Sequence, residues 1–225
     1  MSDNFLGGRN AGLACKRALF RLERARGVVT VGMNDVQFCD FRQTVKAIGT
    51  RDLKGCHVVI VVSGYGAVLG HISPRSGRQQ PGEVHGGDNH IDEQMQRLKT
   101  VYESFKARNF FPQSGSGTHT IHAMLNGEIA LPDQKELIER HLMEMGLPRP
   151  TSFSYNVDLH ANANADSSKG TVLLLGNSSP PTLLVEDSVV FPQARTQPVT
   201  QARQTSQATG SSSGPGLSAA TNFTG

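Results

Sequence analysis

The chain has no tryptophan, only three cysteines and little surplus charge, with a formal net charge of +3 over 225 residues. Each shortage excludes something. Cys15, Cys39 and Cys56 form no CxxC pair, and their odd number argues against a disulfide framework. No apolar run approaches the ~18 residues of a membrane span, and no apolar leader segment opens the sequence. The expectation is a protein of the cytoplasm with reduced thiols and no membrane span. The positive charge gathers near the start, where Arg9, Lys16, Arg17, Arg21, Arg24 and Arg26 outweigh Asp3 and Glu23. No basic patch is interleaved with aromatics, so nucleic-acid binding has no support.

Zinc motifs are missing as well. His85, Asp88, His90, Asp92 and Glu93 cluster in sequence, and His119 with His122 adds a pair, but neither HExxH nor a cysteine pair accompanies them. On a strand, His119 and His122 have opposite parity and face opposite sides. No metal and no cofactor is expected. Ser114-Gly-Ser-Gly117 lacks the lysine of a phosphate loop and precedes a strand, so it reads as a turn.

Three regions are expected. Residues 1–26 carry a basic amphipathic helix over 10–26, with Leu13, Leu19 or Phe20, and Leu22 on one stripe. It reads as a docking helix for an unknown partner surface rather than as an import presequence, which Asp3 and Glu23 disfavour. Residues 27–176 hold the core, of α+β class. Strands are expected over Val28–Gly32, Met33–Asp40, Thr44–Ile48, 118–125, Phe153–Val157 and Thr171–Leu175. Helical spacing of Ile91, Met95, Leu98, Val101 or Tyr102, and Phe105 predicts a helix over 90–108. A second follows Asp133-Gln-Lys-Glu136, read as a capping box, and ends at Gly146 with Pro148 beyond. Residues 177–225 turn rich in Pro, Ser, Thr, Gln and Gly, with no acid and no lysine after Pro192. This stretch reads as a mostly disordered tail, in which only Thr182–Phe191 is apolar enough to dock as a strand.

The most informative stretch is Thr50–Arg75. Cys56 heads a β-branched run to Val62, Ser63-Gly-Tyr-Gly66 turns the chain, and a second apolar run reaches His71. A loop of two or four residues sets Val58 opposite His71 and Cys56 opposite Ser73. Cys56 and His71 are then diagonal neighbours on one face, roughly 7–8 Å apart at the backbone. His57 points to the other face and is the poorer base. Two readings follow. In one, His71 activates Cys56 as a nucleophile by forming a thiolate–imidazolium pair. In the other, which pattern alone favours, Cys56 is a small buried hydrophobe and His71 a strand-end histidine.

A resemblance bears on that choice. Val29-Thr-Val-Gly-Met33, then Thr50 with Leu53 and Gly55 ahead of Cys56, then Gly70-His-Ile-Ser-Pro74, resembles the CheD-type chemoreceptor glutamine deamidases. That family shows V-x-V-G-M, T-x-x-L-G-S-C-V and G-G-x-x-H-x-x-L-P segments. The similarity spans roughly residues 28–176 and includes the order of the later helices and strands. It implies an αββα sandwich, shared with the catalytic domain of cytotoxic necrotizing factor toxins. It also implies a cysteine-dependent deamidation in which Cys56 attacks a glutamine amide of a protein or small-amide substrate. His71 would be the base and Thr50 the hydroxyl that orients it, with backbone N–H groups near Cys56 holding the oxyanion. Gly55, His57 and Ser73 are the substrate or oxyanion candidates. The chain departs from the pattern at Lys54-Gly55, where the family has Gly-Ser, at His57 and at Ser73. Those changes motivate a rival reading, a catalytically inactive binding or accessory protein on the same fold.

Overall fold

A computed structural model describes residues 15–76, 86–157 and 170–192. Leu13, His85, most of the 158–170 loop and the tail beyond 192 lie outside the described residues. The architecture is α+β, two β-sheets with helices. One sheet has the order β1 (Val29–Thr30), β3 (Ala47–Thr50), β9 (Val172–Leu175), β10 (Thr182–Val185), β11 (Ser188–Phe191). The other runs β2 (Asp35–Asp40), β5 (Gly66–Ile72), β4 (His57–Val62), β6 (Gly117–Leu125), β7 (Glu128–Ile129), with β8 (Thr151–Asn156) parallel to β6.

Side-chain parity sorts these strands into layers, because successive strand residues face opposite ways. Val58, Ile60 and Val62 of β4, Ile48 of β3, and Val172 and Leu174 of β9 share one core between the sheets. The residues of opposite parity, Val59, Val61, Val68 and Ile72, face the helices α2 (Gly86–Lys106) and α3 (Pro132–Glu144). On the outer face of the five-stranded sheet, Cys15 and Leu19 of α1 (Cys15–Arg24) pack on Ala47 and Leu173. Helices therefore close both outer faces, and β4 and β5, buried along their whole length, read as near-continuous apolar runs.

The hairpin forms as its spacing requires. Ser63 N–H donates to Gly66 O at 2.9 Å, leaving Gly64 and Tyr65 as a two-residue loop, and Val58 pairs with His71. In α2, Ile91, Met95, Leu98 and Tyr102 are all buried along one stripe. The helix starts at Gly86, ahead of the expected residue 90.

Two expectations need correction. β3 begins at Ala47 and runs through Gly49 to Thr50, instead of ending at Ile48. Gly49 belongs in the strand because a Cβ there would stand 2.8 Å from the Val172 carbonyl and 3.2 Å from Leu19, so only glycine allows this approach. The proposed capping box is absent: α3 starts at Pro132, Leu131 occupies the cap position and no side chain caps it. The ring of Pro132 is already set for a first helical turn, which puts Asp133 inside that turn, where it favours the helix dipole. Thr182–Phe191, the patch of 177–225 expected to dock, does so as the β10–β11 hairpin that completes the five-stranded sheet, so the core extends beyond the expected boundary at 176.

Candidate active site

Thr50 and His71 come from different sheets and meet between them. The Thr50 hydroxyl lies 2.8 Å from the Val31 carbonyl and 2.7 Å from His71 Nδ1, and Thr50 is fully buried. A carbonyl only accepts, so the single hydroxyl proton goes to Val31 O. The Thr50 oxygen must then accept from His71 Nδ1–H. That fixes the neutral ring with its proton on Nδ1 and its lone pair on Nε2. Nε2 is buried and has no hydrogen-bond partner among the described residues. Cys56 and His71 sit on the same interlayer face, as Cys56 belongs to the core that lies between the sheets.

The electrostatics differ from an ion pair at rest. Burial pushes His71 down to about 4, against weaker opposing pulls from Asp52 and the Val31 carbonyl. Burial also raises the Cys56 thiol, and the backbone N–H of Lys54 beside the sulfur offsets only part of that. Both shifts favour a neutral thiol and a neutral imidazole near pH 7, against the resting thiolate–imidazolium pair of the first reading. Proton transfer from Sγ to the bare Nε2 would have to accompany attack rather than precede it. Cys39 and Cys15, pushed up to about 11 and about 12 by burial, are poorer nucleophiles still.

No family model matches this chain, and no curated protein matches it. The site's chemistry is therefore read from its own residues.

Around the central pair, the loop leading to Cys56 is held from several sides. Leu53 N–H donates to Gly170 O at 3.0 Å. Arg51 reaches the Glu23 carboxylate of α1 at 3.2 Å, so the N-terminal helix braces the residue after Thr50. Gly55 adopts φ +89, a left-handed conformation that favours glycine. Its N–H donates to the Tyr155 hydroxyl at 3.0 Å, and that hydroxyl donates in turn to Cys56 O at 2.9 Å. Tyr155 thus clamps the peptide groups on both sides of the Gly55–Cys56 junction. The sequence offered it only as an alternating strand residue, although a buried tyrosine hydroxyl always needs a partner.

The three oxyanion or substrate candidates are placed differently from the triad residues. The Gly55 N–H is engaged by Tyr155. His57 turns to the helix side, where its Nε2–H donates to Gln134 Oε1 at 3.1 Å. Ser73 Oγ donates to Arg75 O at 2.5 Å and its N–H donates to Asn34 Oδ1 at 2.9 Å. Asn34 also sends its own N–H to His71 O at 2.7 Å and accepts from His90 Nε2 at 3.1 Å. Ser73 therefore fixes the loop that follows His71.

Behind the pair, on the opposite face of β4, a second chain of hydrogen bonds was not foreseen. Gln134 Nε2 donates to Pro74 O at 3.1 Å, so its Oε1 accepts from His57 Nε2–H. The His57 Nδ1 lone pair then accepts from His122 Nδ1–H at 3.0 Å. Burial lowers His57 and drives His122 to about 3, so the network is neutral. It ties α3 to the loop after His71. His119 and His122 face opposite sides as their parity requires, His119 beside Phe153 and Phe191 and His122 beside His57. Among the described residues no three metal-ligating side chains converge.

Proposed function

We propose that the chain is a cysteine-dependent amide hydrolase of the glutamine-deamidase kind, with Cys56 as nucleophile, His71 as base and Thr50 as the group that orients it. One observation carries this reading. The Thr50 hydroxyl, committed to Val31 O, makes His71 present a bare, buried Nε2 on the face that Cys56 shares. Buried ring nitrogens are also unpaired at His90, His119 and His122, but of these four histidines His71 alone is held by the Thr50 hydroxyl. The resemblance of the Thr50, Cys56 and His71 segments to the CheD-type deamidases supports the same assignment, and with it a protein glutamine as substrate.

Nε2 takes the Sγ proton as sulfur attacks the amide carbon. The C–N bond breaks, and ammonia leaves with the proton returned from Nε2. The thioester that remains is hydrolysed by a water whose proton passes to Nε2, releasing glutamate and the Cys56 thiol. Because the Gly55 N–H is already bonded, the oxyanion must be met by other donors near Cys56 once substrate is seated. The reaction requires reduced Cys56, which suits the cytoplasm.

A specific observation favours a second reading, that of an inactive binding or accessory protein. Burial raises the Cys56 thiol, and the Gly55 N–H that would serve an oxyanion is engaged elsewhere. Ammonia release from a purified chemoreceptor cytoplasmic domain separates the two. The deamidase reading expects glutamine-to-glutamate conversion by the wild type and none by Cys56→Ser at unchanged fold. Conversion at the same rate by Cys56→Ser would refute it, and no conversion by either protein would favour the accessory reading.

A further inference from the structure

At the Val62 end of β4, away from Cys56, a cleft of about 440 Å³ opens beside the edges of both sheets. Val62, Pro180, Pro181 and Phe191 form apolar walls, and the polar lining includes His119 and Arg149. Most of the other polar side chains there are committed. Ser63 Oγ donates to Phe110 O at 2.6 Å, Ser116 Oγ to Pro112 O at 2.6 Å and Thr118 Oγ1 to Pro148 O at 2.7 Å.

His119 is the exception that points to a ligand. It is 4% exposed and neither ring nitrogen has a hydrogen-bond partner. With both nitrogens unpaired, the ring carries the full desolvation penalty of its N–H and its lone pair, where His71, His90 and His122 each leave one nitrogen unpaired. The ring lies 4.8 Å from Phe191 and 5.8 Å from Phe153, centroid to centroid. Its Nε2 is buried and stands 3.9 Å from where a Cβ on Gly117 would be, so on that side of the cleft it is covered by the Gly117 backbone alone and by no side chain there. Burial pushes His119 down to about 4, so the ring is neutral and offers one donor and one acceptor.

Arg149 supplies the charge. Thr151 is the register partner of His119 on β8, which places Arg149, two residues upstream, off the same end of the sheet. Arg149 is exposed and makes no hydrogen bond among the described residues. Arg149 acts on Glu139 only through space, and Glu139 is itself held by Lys135 at 2.8 Å and by Ser152. An exposed guanidinium in the lining of an apolar cleft, with a neutral imidazole beside it, matches an anionic head on a flat apolar body. Guanidinium favours a planar carboxylate because two N–H groups can meet its two oxygens.

We propose that this cleft binds a small aromatic carboxylate, with Arg149 and the His119 N–H on the carboxylate and the ring lodged against Phe191 and Pro181. The site lies on different residues from the Cys56 chemistry and does not rest on it.

The test titrates the ¹⁵N-labelled full chain with 2-naphthoate and with the uncharged 2-naphthalenemethanol. Saturable amide shifts at Gly115, Gly117 and Thr151 are expected, with the alcohol at least ~10-fold weaker, as loss of a charge-assisted hydrogen bond implies. Arg149→Gln should weaken naphthoate ~10-fold and leave the alcohol unchanged. His119→Phe should also lose naphthoate while unfolding at the same or a higher urea concentration than wild type, because it deletes an unsatisfied buried group. Cys56→Ser should bind as wild type does. Absence of saturable shifts, shifts centred away from this cleft, undiminished affinity in His119→Phe, or lost affinity in Cys56→Ser would each overturn the proposal.

Discussion

Replacing Thr50 by valine keeps shape and burial and removes one hydroxyl. In the folded protein that hydroxyl satisfies two groups at once, the Val31 carbonyl and His71 Nδ1–H, at a fully buried position. Each group left unpaired costs ~1–3 kcal/mol, so Thr50→Val should destabilise by ~2–6 kcal/mol. Thr50→Ser keeps the hydroxyl and loses only a methyl, a cost of about 1 kcal/mol. Urea denaturation with unchanged m values would give both numbers. Ring ¹⁵N shifts of His71 supply a second readout that mere destabilisation would not move. Wild type and Thr50→Ser should show a protonated Nδ1 and a bare Nε2, whereas Thr50→Val should lose that fixed tautomer. A Thr50→Val protein within ~0.5 kcal/mol of wild type, with the same His71 tautomer, would refute the inference that Thr50 orients the histidine, since such a difference is what a surface substitution produces.

Two further outcomes follow from the same contacts. Tyr155→Phe leaves the Gly55 N–H and Cys56 O unpaired, so stability measured in urea should fall by ~1–3 kcal/mol, and the cysteine loop should show faster amide exchange at Gly55. Acid should destabilise the fold early. His71 and His119 fall from 6.5 to about 4 and His122 to about 3 on folding. Between pH 6.5 and 4 the unfolded chain binds protons that the folded chain refuses, so this stability is present in full above 6.5 and is lost as pH falls toward 4. Each such histidine adds a slope of up to about 1.4 kcal/mol per pH unit. Thermal melts across pH 4–7 should show the steep limb there, shallower in His119→Phe, and a flat profile would contradict it.

Local periodicity made part of this site readable. The two-residue turn and the period of two in β4 and β5 place Cys56 and His71 on one face and His57 on the other, and both assignments need only neighbouring residues. The buried stripe of α2 was legible for the same reason. What remained hidden depends on distant chain. Gly49 looks like a strand terminator until Val172 and Leu19 are seen pressing on it. Thr182–Phe191 was legible as a docking segment, but its division into two strands and its pairing with β9 depend on chain beyond it. Tyr155, about a hundred residues from Cys56, and the His57–His122–Gln134 chain join four elements through polar contacts that no spacing rule encodes. The neutral resting state of Cys56 and His71 likewise follows from burial between the sheets, which the two residue types alone do not reveal.

The catalytic assignment is tested most directly by a glutamine-like chloroketone, which alkylates a cysteine only where a neighbouring base and an amide-binding pocket activate it. Peptide mass spectrometry after brief exposure at neutral pH should find the adduct on Cys56 and not on Cys15 or Cys39, with labelling abolished in His71→Asn. Equal labelling of all three cysteines, or undiminished Cys56 labelling in His71→Asn, would contradict a nucleophile activated by His71.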